Sequence, residues 1–310
     1  MKVSTWLGAA LLAASISSGA FGQTKIAMGL VLVNPECITA FVGKEEGIFA
    51  KHGLDVQMVP VPLISTLPAA LVSQSIQIAA VTATTLVRAV DSGPDLVAIA
   101  GSSTTARRSA MSLGVIVHPD SPVRSAKDLI GKKVAVPGFV SFMDLMTREW
   151  FVQNGVDVKQ VNFVEVAQPN LPDVLRTKSV DAIASGGPQF QRIKNGKLGY
   201  VVSDFTAQAG EGQSTTLFAS LGEWAKKNRE TVKAFRAAAK EAVAFIEANP
   251  EKAQKHLSPY TRIPIEDIKS IGLPAAKAEI TPEQIRWWQV LMTRHGFLQS
   301  KFDPAKAVFQ

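Results

Sequence analysis

Short runs of β-branched and other apolar residues alternate with helical patterns along most of this chain. Between the runs, apolar residues recur every three or four positions, which places them on one face of a helix. Such alternation is typical of α/β layering, in which helices cover a mostly parallel sheet. The predicted strands are Lys25–Val33, Leu54–Pro60, Ile76–Val81, Leu96–Ala100, Leu113–Val117, Lys133–Val136, Val161–Val166, Ala182–Ala184 and Tyr200–Val202.

Several predicted helices carry clear start or stop signals. Ser141 with Asp144, and Thr281 with Gln284, have the spacing of capping boxes, in which each residue of a pair bonds the other's backbone. Pro250 is expected to stop the long helix before it. Helices are predicted over 35–47 after an Asn34 cap, from Ser65, over Thr84–Val90, from Ser141, over Leu171–Lys178, over Glu223–Ala248 and over 281–296.

One segment of the chain has an internal echo. Residues 67–80 (LPAALVSQSIQIAA) resemble residues 171–184 (LPDVLRTKSVDAIA), and both follow the order helix, polar turn, strand. A repeated unit of this kind indicates two lobes of similar build.

The first 22 residues have the composition of an export signal. Lys2 supplies a positive start, Leu7–Ile16 is an apolar core, and Ser17–Gly22 is a small-residue exit, so cleavage is expected after Gly22. The apolar core is shorter than the roughly 20 residues that span a bilayer. No cysteine follows the signal, so a lipid tether is not expected. We therefore predict an exported, periplasmic chain.

The sequence excludes several kinds of chemistry. Cys37 is the only cysteine, which rules out a disulfide scaffold and a paired-cysteine metal site and predicts a small buried filler. The four histidines have no metal-ligand spacing, and no nucleotide-binding or serine-hydrolase motif is present. His52 and His295 are expected at the surface or at helix ends. We predict no cofactor, no metal and no enzymatic activity.

The residues most suited to binding lie where strands end and helices begin. A helix start presents unpaired N–H groups and a partial positive charge. In open α/β sheets these junctions meet outside the carboxyl ends of the strands, where ligands bind. Hydroxyl and amide residues are also good helix caps, so each position alone has a purely structural explanation. The junction residues are Asn34, Ser65, Thr66, Thr82 to Thr85, and Ser141.

Four segments resemble a known family in the same order. Gly43 to Val56 (GKEEGIFAKHGLDV) is similar to a segment of periplasmic substrate-binding proteins of the taurine, alkanesulfonate and nitrate type, a group that also includes the thiamine-pyrimidine synthases (NMT1-like). Pro188 stands where the family usually has a proline, whereas Gln74 and Gln77 replace its usual Gly and Asp. The other similar segments are Ala70 to Ala79 (ALVSQSIQIA), Ser125 to Val136 (SAKDLIGKKVAV) and Val174 to Ala182 (VLRTKSVDA).

The resemblance implies a two-lobed type II periplasmic binding protein fold with a helical C-terminal segment. Lobe 1 would comprise residues 23–108 plus 212–310, and lobe 2 residues 109–211, joined by two crossovers. The implied partners are a small-molecule solute and the membrane permease of an ABC-type importer, with no nucleic acid, and the implied state is a monomer. A hinge would close the lobes around the solute.

The expected ligand-binding residues combine both lobes. Phe139 and Phe142 flank Ser141 and are placed to sandwich a flat ligand, although phenylalanines in such positions are more often core or rim residues. The predicted set is Asn34, Ser65, Thr66, Thr82 and Thr84 from lobe 1, and Phe139, Ser141, Phe142, Gln168, Gly186 and Gly187 from lobe 2.

The ligand class stays open at this point. The formal charge is +7, and +6 after loss of Lys2 with the signal. This balance, with no acidic cluster at the junctions, tilts the prediction toward an organic anion such as a sulfonate or carboxylate. The alternatives are binding of a thiamine-precursor pyrimidine and a pyrimidine-synthase-like enzyme. The synthases, as the resemblance has them, carry a Cys-rich stretch that this chain lacks. A ligand-sensing module would need an attached helix-turn-helix or membrane span.

Overall fold

The computed structural model describes residues 22–106, 113–187, 189, 190, 193, 196–205, 210–300 and 302–310. The predicted export signal before Gly22 lies outside these residues, and so does Pro188. Within them the chain forms one six-stranded and one five-stranded sheet with helices packed against them. The predicted α/β class is confirmed.

The six-stranded sheet has the strand order β11-β4-β10-β3-β1-β2. Strands β1 to β4 all run in one direction, and β10 and β11 run against them. The carboxyl ends of β1 to β4 therefore share one edge of the sheet with the start of β10. All nine residues of β4 are buried, as expected of a strand covered on both faces. The strands are β1 (Thr24–Leu30), β2 (Leu54–Pro60), β3 (Ile78–Thr82), β4 (Leu96–Thr104), β10 (Ser214–Leu221) and β11 (Ala275–Ala276).

The five-stranded sheet has the order β7-β6-β8-β5-β9. Strands β6, β7, β8 and β9 run in one direction, and β5 runs against β8 and β9. Here too the carboxyl ends of the parallel strands share an edge, together with the start of β5. The strands are β5 (Leu113–Val117), β6 (Lys133–Val136), β7 (Asn162–Glu165), β8 (Ala182–Gly186) and β9 (Tyr200–Asp204).

Two connections join the sheets, and both run between the carboxyl edges. Residues 105–112 lead from the end of β4 to the start of β5, and residues 205–213 lead from the end of β9 to the start of β10. Because both connections are short, the two carboxyl edges are held near each other. Helices that start at either edge are thus brought to the same region of the molecule.

Eleven helices are described within the ranges given above. Helices α1 and α8 pack on one face of the six-stranded sheet, and α4 and α11 pack together on the other side. The helices are α1 (Ile38–Glu45), α2 (Ile48–Lys51), α3 (Leu67–Val72), α4 (Ala83–Asp91), α5 (Phe142–Gln153), α6 (Leu171–Arg176), α7 (Gly222–Lys227), α8 (Arg229–Ala248), α9 (Pro250–Thr261), α10 (Ile265–Ile271) and α11 (Pro282–Arg294).

The internal echo is confirmed at the level of the backbone. In each copy a short 3₁₀ turn leads into a six-residue helix and then a strand, as α3 with β3 and α6 with β8. The residue at the same offset after each helix, Gln74 and Lys178, has a positive φ of 58° and 56° respectively. The two copies therefore share a turn geometry that favours glycine, although neither has one.

Several predicted elements differ from the structure. Strand β10 was not predicted, because its polar start (Ser-Thr-Thr) reads as a loop. The single helix predicted over 223–248 is broken at Asn228 into α7 and α8. Pro250 does not merely stop α8: it begins α9, at the first-turn position where a missing N–H costs nothing.

A shared apolar core links the helices of the two sheets. It includes Val87 of α4, Trp288 of α11 and Trp150 of α5. Trp288 is fully buried and Trp287 partly exposed. Cys37 is fully buried, which confirms its prediction as a filler. The buried face of α8 includes Val232, Phe235, Ala239, Ala242 and Ile246.

Candidate functional site

Glu36, Ser103 and Thr215 form a polar cluster at the carboxyl edge of the six-stranded sheet. Thr215 Oγ1 donates a hydrogen bond to Glu36 Oε2 at 2.7 Å, and the Ser103 and Thr215 hydroxyls are 2.8 Å apart. Ser103 is buried, whereas Glu36 and Thr215 keep partial exposure. We call these three residues the Glu36 cluster. Sequence reasoning missed it.

Burial and hydrogen bonding act in opposite directions on the pKa of the Glu36 carboxyl. Burial raises the pKa of Glu36, and the hydroxyls of Ser103 and Thr215 oppose that rise without cancelling it. Burial, followed by the neighbouring Glu36 charge, also raises the pKa of the Cys37 thiol. Cys37 is therefore kept as an unreactive thiol.

Asn34 holds the turn that carries Glu36. Its Oδ1 accepts the Glu36 backbone N–H at 3.1 Å and caps the 3₁₀ turn Pro35–Cys37. The predicted helix over 35–47 begins with this turn, continues as α1, and is interrupted at Gly47, which has φ of 64°. Asn34 thus lies at the carboxyl edge, with its carbonyl oxygen used to position the backbone.

The start of α4 is a compact group of hydroxyls. Thr82 accepts the backbone N–H of Thr85, and its Oγ1 lies 3.0 Å from the Thr84 hydroxyl and 2.8 Å from that of Thr85. Thr82 is partly exposed and Thr84 is buried. Of the two predicted ligand residues here, Thr82 is therefore the one that a solute can reach directly.

Ser65 and Thr66 follow β2 at the same edge. Both are exposed and belong to the 3₁₀ turn Ile64–Thr66. Thr66 makes no side-chain cap to α3; its hydroxyl donates to the Leu63 carbonyl at 2.8 Å. These side chains lie on the rim of the edge.

The start of α5 differs from the capping box that its spacing predicts. Ser141 accepts the Asp144 backbone N–H at 3.3 Å, as expected. Asp144, however, does not reach back to Ser141: its carboxylate accepts the Val140 N–H at 2.8 Å and pairs with Arg148 at 2.7 Å. Only one of the two hydrogen bonds of the predicted capping box is therefore present. The second is missing because the buried Asp144 carboxylate pairs with the nearby cation of Arg148.

The two aromatic residues beside Ser141 have different surroundings. Phe139 is 49% exposed. Phe142 is partly buried, and its ring packs edge-on against Trp288 with centroids 5.5 Å apart. The structure therefore does not bring the two rings together as a sandwich; Phe142 joins the core between α5 and α11.

The remaining predicted residues lie at the carboxyl edge of the five-stranded sheet. Gln168 is exposed and its backbone carbonyl accepts from Gln189 Nε2 at 2.7 Å. Gly186 is buried in β8, where a Cβ atom would stand 2.2 Å from Leu113 Cδ2. Gly187 has φ of 60°. Packing alone explains the glycine at 186.

An ion-pair cluster joins α5 to the end of α11. Glu149 Oε1 lies 2.6 Å from Arg294 Nη1, and Oε2 lies 2.9 Å from His295 Nε2. The side chains of Glu149 and His295 are 6% and 2% exposed, and His295 caps the end of α11, which confirms its predicted place at a helix end. A cavity of about 440 Å³ beside this cluster is lined by Met146, Glu149, Gln153, Glu283, Arg286, Trp287, Val290, Leu291 and Arg294.

The pKa of Glu149 is lowered by this cluster. Burial raises it, but hydrogen bonds from His295 and Gln153 and the charges of Arg294 and His295 outweigh that effect. The cavity lies along the middle and end of α5, away from Ser141 and the carboxyl edge. It is thus separate from the place where the predicted binding residues gather.

Two further kinds of site were sought in the described part of the chain. Within it, no three His, Cys, Asp or Glu side chains are grouped so that they could hold a metal ion. Across the same ranges, no helix combines the length and apolar character that crossing a bilayer requires. The polar carboxyl edges remain the candidate site.

Among the solved structures with a similar fold are periplasmic binding proteins. The aliphatic sulphonate binding protein SsuA of Escherichia coli superimposes with a TM-score of 0.77 at 18% identity, covering 92% of this chain and 97% of that one. The nitrate-binding protein NrtA of Synechocystis gives a TM-score of 0.73 at 19% identity, covering 92% and 84%. The protein has the periplasmic binding protein fold.

The sequence matches the family described as NMT1/THI5 like over residues 34–253, more than half of the chain. The chain belongs to this family, which confirms the resemblance seen in the sequence. A Haemophilus influenzae protein named for thiamine biosynthesis is 28% identical over 241 residues, covering 75% of this chain and 72% of that protein.

Proposed function

We propose that this protein is an extracytoplasmic solute-binding protein that captures a small organic solute between two lobes and delivers it to an ABC-type importer. In this proposal, residues 1–22 direct export to the periplasm and are removed. Lobe 1 comprises 23–108 plus 212–310, lobe 2 comprises 109–211, and the protein acts as a monomer without enzymatic activity.

The observation that carries the proposal is the arrangement of the two carboxyl edges. Both connections between the sheets run from edge to edge, so we expect the residues that follow the parallel strands to surround one gap. Thr82 and Ser141 cap helices that start there. Contacts from both edges to one solute would favour closure, since only differential binding shifts a conformational equilibrium.

Two ligand classes follow from the chain and its relatives. The net charge of +6 without the signal and the capped helix starts are compatible with an organic anion, as in the sulphonate- and nitrate-binding proteins. The relative named for thiamine biosynthesis favours a thiamine-precursor pyrimidine.

Native mass spectrometry of residues 23–310 tests the proposal. We expect a co-purified small molecule or, after its removal, a rise in melting temperature with propanesulfonate, nitrate, benzoate or 4-amino-5-hydroxymethyl-2-methylpyrimidine at 1 mM. A micromolar solute at that concentration would add about 4 kcal/mol. The solute should be recovered chemically unchanged. Absence of any bound molecule and of any shift, or conversion of the solute, would contradict the proposal.

A further inference from the structure

The Glu36 cluster bears on which solute is bound. We propose that Glu36, Ser103 and Thr215 form part of the solute site and select a solute that presents an amino or ring N–H group, over a simple oxyanion. This inference rests on the proposed binding function and concerns the same gap. It runs against the anion predicted from the sequence.

The position of the cluster supports this role. Glu36 follows β1, Ser103 is the next-to-last residue of β4, and Thr215 is the second residue of β10. All three therefore lie at the carboxyl edge, next to both connections between the sheets. Glu36 and Thr215 keep partial exposure, so a solute in the gap can reach them.

The count of donors and acceptors leaves acceptors in excess. An ionised carboxylate offers about four lone-pair positions and no donor, and each hydroxyl has one donor and two acceptor positions. The two hydroxyls of the cluster can therefore fill at most two positions on Glu36. At least two acceptor positions of the carboxylate remain for another partner.

Nearby donors in the described part of the chain bond backbone groups instead. The Ser102 hydroxyl donates to the Glu36 backbone carbonyl at 2.9 Å, and the Thr39 hydroxyl donates to the Ser102 carbonyl at 2.9 Å. The Glu36 N–H is held by Asn34. These hydrogen bonds fix the backbone of the cluster, and these donors leave the remaining acceptor positions of the carboxyl unfilled.

Two atoms next to Thr215 add to the polar character of the edge. Gln213 Oε1 and Ser214 Oγ are buried and have no hydrogen-bond partner within the described part of the chain. Buried polar atoms in native proteins are nearly always paired, so an unpaired one indicates a missing partner. Gln213 Oε1 is a further acceptor.

The facing edge also carries a carboxylate. Glu165 ends β7, and its Oε1 lies 3.7 Å from the position that a Cβ atom at Gly138 would take. Ser141 Cβ lies 3.8 Å from the same position. Acceptor groups therefore stand near the start of α5 as well as on the six-stranded sheet.

The chemistry of recognition follows from this excess. A sulfonate or nitrate brings only acceptor oxygens and negative charge, which would face Glu36 without a hydrogen atom between them. An amino group or ring N–H supplies that hydrogen atom. Sites built to pair with a donor discriminate strongly against analogues that lack it, because the site's own polar groups are then left unpaired.

Matched probe pairs test the inference by titration calorimetry. The first pair is 4-amino-2-methylpyrimidine and 2,4-dimethylpyrimidine, and the second is taurine and propanesulfonate; within each pair a methyl group replaces the amino group. We expect the amino member of at least one pair to bind about tenfold or more tightly than its methyl counterpart. Glu36→Gln, which removes acceptor capacity and adds donors, should reduce that preference to less than about threefold.

Two variants separate selection from folding. Thr215→Val removes one hydroxyl donor from the cluster and keeps the carboxylate, so it should reduce the amino preference less than Glu36→Gln does. Glu223→Gln changes an exposed carboxylate far from the edge and should leave both affinities unaltered. Equal loss of preference in Glu36→Gln and Thr215→Val would indicate a purely structural cluster and overturn the inference.

The results that would overturn this inference differ from those that would overturn the proposed binding function. Equal or tighter binding of the methyl probes, or no binding of any amino probe at 1 mM, overturns the donor inference. The binding function itself fails only if the wider screen and native mass spectrometry also find no solute.

Discussion

Helices α4 and α5 start at facing carboxyl edges with the same cap but continue differently. Thr82 and Ser141 each accept the backbone N–H of the residue three positions on. In α4 the first turn then adds only hydroxyls. In α5 it adds Asp144, fully buried and paired with Arg148.

This difference indicates a division of roles. Asp144 already places a carboxylate at the positive end of α5, where a bound anion would otherwise be stabilised. Further along, Glu149 ties α5 to α11. Helix α5 therefore mainly holds the two sheets together, whereas α4 keeps its polar start available to the gap.

The largest loss of stability is expected when the ion pairs between α5 and α11 are removed. Glu149→Ala leaves the buried His295 without its partner and should lower the free energy of unfolding by about 3 kcal/mol in urea denaturation. Glu223→Ala removes an exposed pair with Lys227 and should cost less than about 0.5 kcal/mol. If Glu149→Ala lowered the free energy of unfolding no more than Glu223→Ala does, the ion pairs between α5 and α11 would contribute nothing to stability.

The same carboxylate should appear in the pH dependence. The pKa of Glu149 is lowered in the folded state from an ordinary value of 4.5, so its contribution is fully present above that pH and is lost as the pH falls below it. Urea unfolding between pH 3 and 7 should therefore show a smaller acid-induced loss of stability in Glu149→Gln than in the wild type. Parallel curves for the two proteins would contradict this assignment.

Removing the two caps should distinguish the helix starts. Thr82→Ala loses the cap and two hydroxyl contacts and should cost about 1 kcal/mol of unfolding free energy. Ser141→Ala should cost only about 0.5 kcal/mol, because Asp144 still accepts the Val140 N–H and balances the helix dipole. A larger cost for Ser141→Ala, measured by thermal denaturation, would reverse the comparison.

The smallest effect concerns the two copies of the echo. Gln74→Gly and Lys178→Gly remove the strain of a left-handed backbone conformation at a residue with a Cβ atom. Each should raise the free energy of unfolding by about 0.5 kcal/mol. Gly47→Ala, at a φ of 64°, should do the opposite and cost about 1 kcal/mol. Destabilisation by both glycine substitutions would mean that the side chains at 74 and 178 offset the strain.

Much of the fold was predictable because its signals are local. Strands β2, β5 and β6 have the predicted bounds, since each is an apolar run between polar turns. The capping box at Thr281 and Gln284 is confirmed in full. Strand β10 escaped prediction, because Ser214 to Thr216 become strand residues only by pairing with β3 and β4.

The candidate site was less predictable. Its cap residues could be predicted because a cap and the backbone N–H that it bonds lie within four positions of each other in the sequence. Glu36 and Thr215 are 179 positions apart, and Ser103 and Thr215 are 112 apart, so no spacing rule connects them. For Phe142 the sequence left both a site and a core role open and favoured the core, and the contact with Trp288 of α11 decides for the core.

Local hydrogen bonding and side-chain periodicity specified the α/β class, the helix starts and the echoed turn, because those features depend on neighbours along the chain. The Glu36 cluster and the Glu149 tie arise only when distant segments pack. Their energies come from desolvation and from pairing charges and hydrogen-bonding groups across elements, and these depend on the relative placement of sheets and helices that local patterns do not encode.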